Sequence, residues 1–185
     1  YAFSRAYMLT GDKKFLKYAN YAEDFIRTKC YDKEHGGFYT TVDATGRNIM
    51  RVAILHFLDN PTKADEAVLE NVKEASGKNG NTVTVINALK DASANTLMMH
   101  EYIAVIIRPE GVLSARVPDA VQRYFRGSGS LSGKKGCALV LKSGLRSGKT
   151  CRNLMELLEA QGLLLDYFDV ISDAAHALTA GAMVG

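Results

Sequence analysis

From residue 50 onward the chain alternates short, almost purely apolar runs with stretches of helical spacing, and no other feature narrows its fold so far. Arg51-Val-Ala-Ile-Leu-His-Phe57 is nearly unbroken in apolar character, as a strand covered on both faces has to be. Residues 81–86, rich in β-branched side chains, and 102–107, 137–141 and 163–168 repeat the type. Between them, 62–75, 118–126, 150–161 and 173–184 read as helices. Ala64, Ala67, Val68, Asn71 and Val72 line one side of the first, Pro118 opens the second, and Gly162 stops the third. Five strands alternating with helices predict a parallel sheet joined by right-handed crossovers. The two most apolar runs, 52–57 and 103–107, are expected side by side at its centre.

The first 49 residues have another character. Residues 1–9 and 13–30 read as helices around a Thr10-Gly-Asp12 break, in which Asp12 suits an N-cap. Phe15, Tyr18, Ala19, Ala22, Phe25 and Ile26 give the second helix one apolar face. Asp32-Lys-Glu-His-Gly-Gly37 reads as a turn and Phe38-Tyr-Thr-Thr-Val42 as a short strand, closed by Asp43-Ala-Thr-Gly46. The chain is therefore expected to divide into a helical appendage, 1–49, and an α/β domain, 50–185, for which Met50 makes a natural start. Through Leu9-Thr-Gly-Asp12 and Tyr31-Asp-Lys-Glu-His-Gly-Gly-Phe38, residues 1–47 resemble one helical repeat of the (α/α)-barrel sugar epimerases. Those are scaffold positions, one repeat cannot close a barrel, and His35 reads as a surface residue of the turn.

At 47% hydrophobic and 23% charged residues, the composition is that of a soluble globular protein, not a disordered or fibrous one. No window approaches the roughly 18 apolar residues of a membrane-spanning helix, and no basic-then-apolar leader opens the sequence. Cys30, Cys137 and Cys151, odd in number and scattered, suit neither a disulfide framework nor a zinc spacing, so a reducing, cytoplasmic compartment is expected. A net charge of +3 is too small to imply nucleic acid. Its distribution is uneven: residues 108–152 hold ten Lys/Arg against two acids, whereas 56–101 hold seven acids against four bases. Such a basic stretch is either a solvated face or a surface for a partner bearing phosphate or carboxylate.

About 136 residues with five strands suit a sheet of order 2-1-3-4-5, and the turn Leu58-Asp-Asn-Pro-Thr62 lacks the glycines of a dinucleotide fingerprint. Tyr102-Ile-Ala-Val-Ile-Ile-Arg-Pro-Glu-Gly111, Val117-Pro-Asp-Ala-Val-Gln-Arg-Tyr-Phe125 and Leu131-Ser-Gly-Lys-Lys-Gly-Cys-Ala-Leu-Val140 resemble the flavodoxins and NAD(P)H-dependent FMN reductases. Asn153-Leu-Met-Glu-Leu-Leu-Glu-Ala-Gln-Gly162 resembles the helix before that family's fifth strand, so the likeness spans 50–185. It implies a flavodoxin-like domain that binds FMN at the carboxyl ends of its strands and carries one or two electrons. The site residues it implies are Thr62 and Lys63 for the phosphate, and Pro109, Glu110, Gly111 and Val112 beside the ring. Ser143, Gly144, Leu145, Arg146 and Ser147 would lie at the ring's other edge. A redox partner protein or NAD(P)H is the implied partner, with an oligomer left open and no place for nucleic acid or membrane.

Two departures from the family count against FMN. Residues 57–63 contain no Gly and a single hydroxyl, Thr62, and Asp59 would repel a phosphate that Lys63 only partly offsets. Arg108-Pro-Glu-Gly-Val-Leu113 offers no aromatic to stack on a flavin. The alternative is a flavin-free flavodoxin-fold module that docks a partner through its basic face. A weaker alternative, resting on residues 1–47 alone, is a sugar-epimerase-related fragment.

The remaining motifs carry less. Ser143-Gly-Leu-Arg-Ser-Gly-Lys-Thr150 approaches a nucleotide phosphate loop, but Ser143 stands at its first glycine and the loop follows a late strand. It reads as a glycine turn opening a helix. His56 and His176 have no neighbours at metal-ligand spacing, His100 reads as a surface residue, and Cys137 as core. Cys151, beside Lys149 and Arg152 at a helix start, has the setting for a lowered thiol pKa but no base to use it.

Overall fold

The computed structural model describes residues 2–33, 36–39, 42, 49–91, 94–111, 114–128 and 131–185. The chain divides into two compact units, 1–49 and 50–185.

In the first unit, α1 (Ala2–Thr10) and α2 (Lys13–Lys29) meet at a turn where Gly11 takes φ +69° and the Asp12 carboxylate accepts the Lys14 N–H. Phe3 and Tyr18 pack at 5.6 Å between ring centroids. No residue of either helix is buried. Within the expected strand Phe38–Val42, Phe38 makes an antiparallel bridge to Tyr31. His35 and the closing turn at 43–46 lie outside the described residues.

The second unit runs β1 (Arg51–His56), α3 (Lys63–Lys78), β2 (Thr82–Asn87), a 3-10 turn (Ala94–Met99) and β3 (Tyr102–Ile107), then α4 (Asp119–Arg126), β4 (Lys135–Leu141), α5 (Ser147–Ala160), β5 (Leu164–Ile171) and α6 (Ala174–Gly181). Its five strands form one parallel sheet in the order β2-β1-β3-β4-β5, with β1 and β3 neighbours as their apolar character requires. Alternate strand residues face opposite layers. Ala53, Leu55, Ile103, Val105 and Ala138 pack on α4 and α5, whereas Val52, Ile54, Ala104, Ile106 and Leu139 pack on α3 and α6.

Two details fix this arrangement. The β4–β5 register slips at Gly136/Cys137, leaving Asp166 unpaired in the ladder, and its carboxylate accepts the Tyr102 hydroxyl at 2.6 Å. Gly136 has to be glycine there, since a Cβ would stand 2.5 Å from the Ile103 carbonyl oxygen. Meanwhile α6 is clasped to α3 by bonds from Asn71 Nδ2 to the Ala174 carbonyl, Ser76 Oγ to Val184 and Asn79 Nδ2 to Ala182.

Expected and observed elements differ mostly at their ends. β5 continues to Ile171, because Asp169 stays in the strand by bonding Tyr167 Oη and His176 Nε2. α5 begins at Ser147, three residues before the expected start. His100, expected at the surface, is buried, its Nδ1 bonded to the Thr96 carbonyl at 2.9 Å.

Candidate functional site

The strand order reverses direction between β1 and β3, and open α/β sheets hold ligands in the crevice this leaves at their carboxyl ends. Five connections leave the sheet at that end, beginning at residues 57, 88, 108, 142 and 172.

The first connection leads into α3. Thr62, at the N-cap, accepts the Asp65 N–H, while the Asp65 carboxylate accepts the Thr62 N–H and hydroxyl, each at 2.8 Å. This capping box satisfies donors that the first turn of a helix would otherwise leave unpaired. The other Asp65 oxygen takes the Arg108 guanidinium, which arrives from the end of β3. Asp65 is only 3% exposed, so its charge is tolerable because that partner and those donors surround it. Lys63 and Asp59 point to solvent and make no ion pair among the described residues. The carboxylate that decides this corner is therefore Asp65. The spacing Thr62-Lys-Ala-Asp65 was its sequence signal; the link to Arg108, 43 residues away, left none.

In the connection after β3 Pro109 is buried, while Glu110 and Gly111 are exposed, the latter at φ +84°. Val112 lies outside the described residues. A cavity of about 390 Å3 opens here, bounded by Phe57, Leu58, Leu89, Pro109 and Pro118. A second, of about 300 Å3, lies on the other side of Arg108 among Asp65, Lys142, Ser172 and Asp173. The nearby Phe57 ring is packed edge-on against Tyr124, so its face is committed to the core.

The connection after β4 holds Ser143, half-buried, Gly144 at φ +77°, and Leu145 and Arg146, both exposed. Ser147 is buried, and its hydroxyl accepts the Ser143 N–H at 3.0 Å, so it closes the turn. Leu145 is 89% exposed at the apex. Around it Lys142, Arg146, Lys149 and Arg152 are exposed, and none has an acidic partner among the described residues. Arg123 and Arg126 of α4 are exposed as well, and Asn153 Nδ2 of α5 donates to the Ala115 carbonyl at 2.8 Å.

The other candidates have structural employment. Burial, with the Asp169 carboxylate adding to it, pushes the Cys151 thiol up to about 11, so the helix start and its lysine do not lower it as the sequence suggested. Burial raises Cys137 as well. His56, 6% exposed at the end of β1, has its pKa lowered by burial and then by Lys90, and its Nδ1 has no partner among the described residues. Ser172, His176 and Asp169 align, with Ser172 Oγ 3.3 Å from Nδ1 and Nε2 3.0 Å from Asp169. Ser172 Oγ is closer to Asp173, at 2.8 Å, which makes the group a cap for α6. Among the described residues no cluster of His, Cys, Asp and Glu could hold a metal ion, and no helix is long and apolar enough to cross a membrane.

No family model matches the chain, and no curated protein matches it. Solved structures do. The two-electron reduced flavodoxin of Megasphaera elsdenii superposes with a TM-score of 0.59 at 16% identity, over 72% of this chain and 99% of that one. A flavodoxin from the domain Archaea gives 0.57 at 17%, over 71% and 94%. Oxidised flavodoxin 1 of Bacillus cereus gives 0.54 at 17%, over 71% and 95%. At such identities the likeness establishes the fold, which is the flavodoxin-like one, and nothing finer. FMN, the group that fold implies, fits this end in part: the cleft of about 390 Å3 among Leu58, Pro109 and Pro118 leaves room for a ring edge. Its phosphate does not fit, because the Asp65 carboxylate already takes the Thr62 N–H, the Thr62 hydroxyl and the Arg108 guanidinium and would set a second negative charge against it.

Proposed function

We propose that residues 50–185 form a redox domain that takes a flavin into the cleft between the β1 and β3 connections and carries electrons on it. The observation behind this is the cleft itself, about 390 Å3 at the switch point of a flavodoxin-like sheet. A flavin supplies one- or two-electron chemistry; the protein's part is to hold and orient it. Here Leu58, Leu89 and Pro109 offer apolar walls, and Asp59, Arg108 and Glu110 bring charge to the same cleft. The unpaired cations around Leu145 suit an acidic electron-transfer partner, since complementary charge speeds encounter.

The same cations favour a second reading, a flavin-free module that docks a partner through its basic face. Titration separates the two. The purified chain is mixed with riboflavin and with FMN while flavin fluorescence is followed, and bound flavin is then reduced. Quenching with a reducible bound chromophore supports the redox domain; no quenching with either flavin sets it aside for the docking module.

A further inference from the structure

We propose that Asp65 is an internal occupant of the phosphate position and makes this domain select a flavin without a terminal phosphate, riboflavin, over FMN. The choice of ligand rests on the flavin reading above; the closed position rests on geometry alone.

An anion site at this corner is already built and already filled. Three donors converge on one carboxylate: the Thr62 N–H, the Thr62 hydroxyl and the Arg108 guanidinium. The first two belong to the start of α3, and the third comes from a different strand, so the site is more than a helix end. The Asp65 side chain is 5% exposed and Arg108 is 40% exposed, so the carboxylate sits behind the guanidinium, away from water. A phosphate at this corner would compete with Asp65 for these donors. It would also leave Asp65 buried, unpaired and beside a second anion, which a low-dielectric corner penalises heavily. A ring resting beside Pro109 asks nothing of these donors. Flavins differing only in the phosphate are thus told apart by one residue, through what it excludes.

The test uses the full chain, its Asp65→Ser and Asp65→Asn variants, and three probes: riboflavin, FMN and inorganic phosphate. Asp65→Asn keeps the shape while removing the charge, and melting curves check that each variant is folded. The parent should bind riboflavin at least as tightly as FMN. Both variants should gain roughly tenfold or more in FMN affinity, a change of about 1.4 kcal/mol. Riboflavin affinity should stay as it was, and inorganic phosphate should compete away the FMN gain. If the parent prefers FMN, or if neither variant alters the ratio of FMN to riboflavin, the inference is overturned while the flavin reading stands. If the parent binds no flavin but the variants bind FMN, the flavin reading of the parent falls and the closed position is upheld. If no protein binds any of the three probes, both are overturned.

Discussion

Gly181 of α6 lies so close to Val72 of α3 that a Cβ on it would stand 2.8 Å from the Val72 Cα and carbonyl oxygen. The two helices touch backbone to backbone, and the clasp from Asn71, Ser76 and Asn79 holds them there. Gly181→Ala should therefore destabilise the domain by about 1–3 kcal/mol through overpacking, against the helix preference for Ala. Gly77→Ala offers the opposite sign. Gly77 is helical with nothing within 4 Å of a built Cβ, so alanine there should stabilise by about 0.5–1 kcal/mol. Urea unfolding of both variants reads the pair; equal effects would contradict the close packing of α6 on α3.

Burial lowers the His56 pKa from its ordinary 6.5, so the folded state resists the proton that the unfolded chain accepts. The sign follows from linkage. The contribution to stability is whole above pH 6.5 and falls as the pH drops from there through the lowered folded value. The slope cannot exceed about 1.4 kcal/mol per pH unit for one proton. His56→Leu removes the unpartnered Nδ1 and should flatten stability between neutral and mildly acidic pH. Unfolding curves of parent and variant across that range check it, and identical pH dependence would rule His56 out as the source.

The cysteines should be slow toward thiol reagents. Cys137 and Cys151 are buried and their thiols are pushed up, Cys151 to about 11, so little thiolate exists at neutral pH. Labelling with a chromogenic disulfide reagent at pH 7 should spare both in the folded protein and reach all three cysteines in urea. Rapid native labelling at Cys151, located by mass spectrometry, would contradict the burial described for it.

Removal of residues 1–49 should leave a cooperatively folding 50–185 domain. Both layers of its core are made of its own residues, whereas α1 and α2 bury none of theirs. Circular dichroism and a single sharp melt are the expected results, and a molten or aggregated product would place the boundary elsewhere.

The centre of the sheet was legible because burial on both faces leaves β1 and β3 almost no polar residues, and 51–57 and 102–107 announce themselves. The reach of β5 to Ile171 was not, since Asp169 breaks the apolar pattern and is kept in the strand by Tyr167 and His176. At the candidate site the glycine turn near Gly144 was readable, as was half of the Asp65 corner in the Thr62-Lys-Ala-Asp65 spacing. Its other half, Arg108, belongs to a strand 43 residues on, and ion pairs made by the fold leave no periodic trace. Cys151 shows the converse: neighbouring lysine and arginine gave the setting for a lowered thiol pKa, and burial raises it instead.

The clasp between α3 and α6 has a kinetic side. Asn71 meets Ala174 across 103 residues and Ser76 meets Val184 across 108, so the layer over Val52 and Ile54 closes only by a very long loop. Contacts so distant along the chain slow the search for the native state, and until they form, part of one face of the sheet stays greasy and open. During synthesis α3 can settle on its neighbouring strand at once, but the part of that face which α6 covers stays bare until the last helix docks.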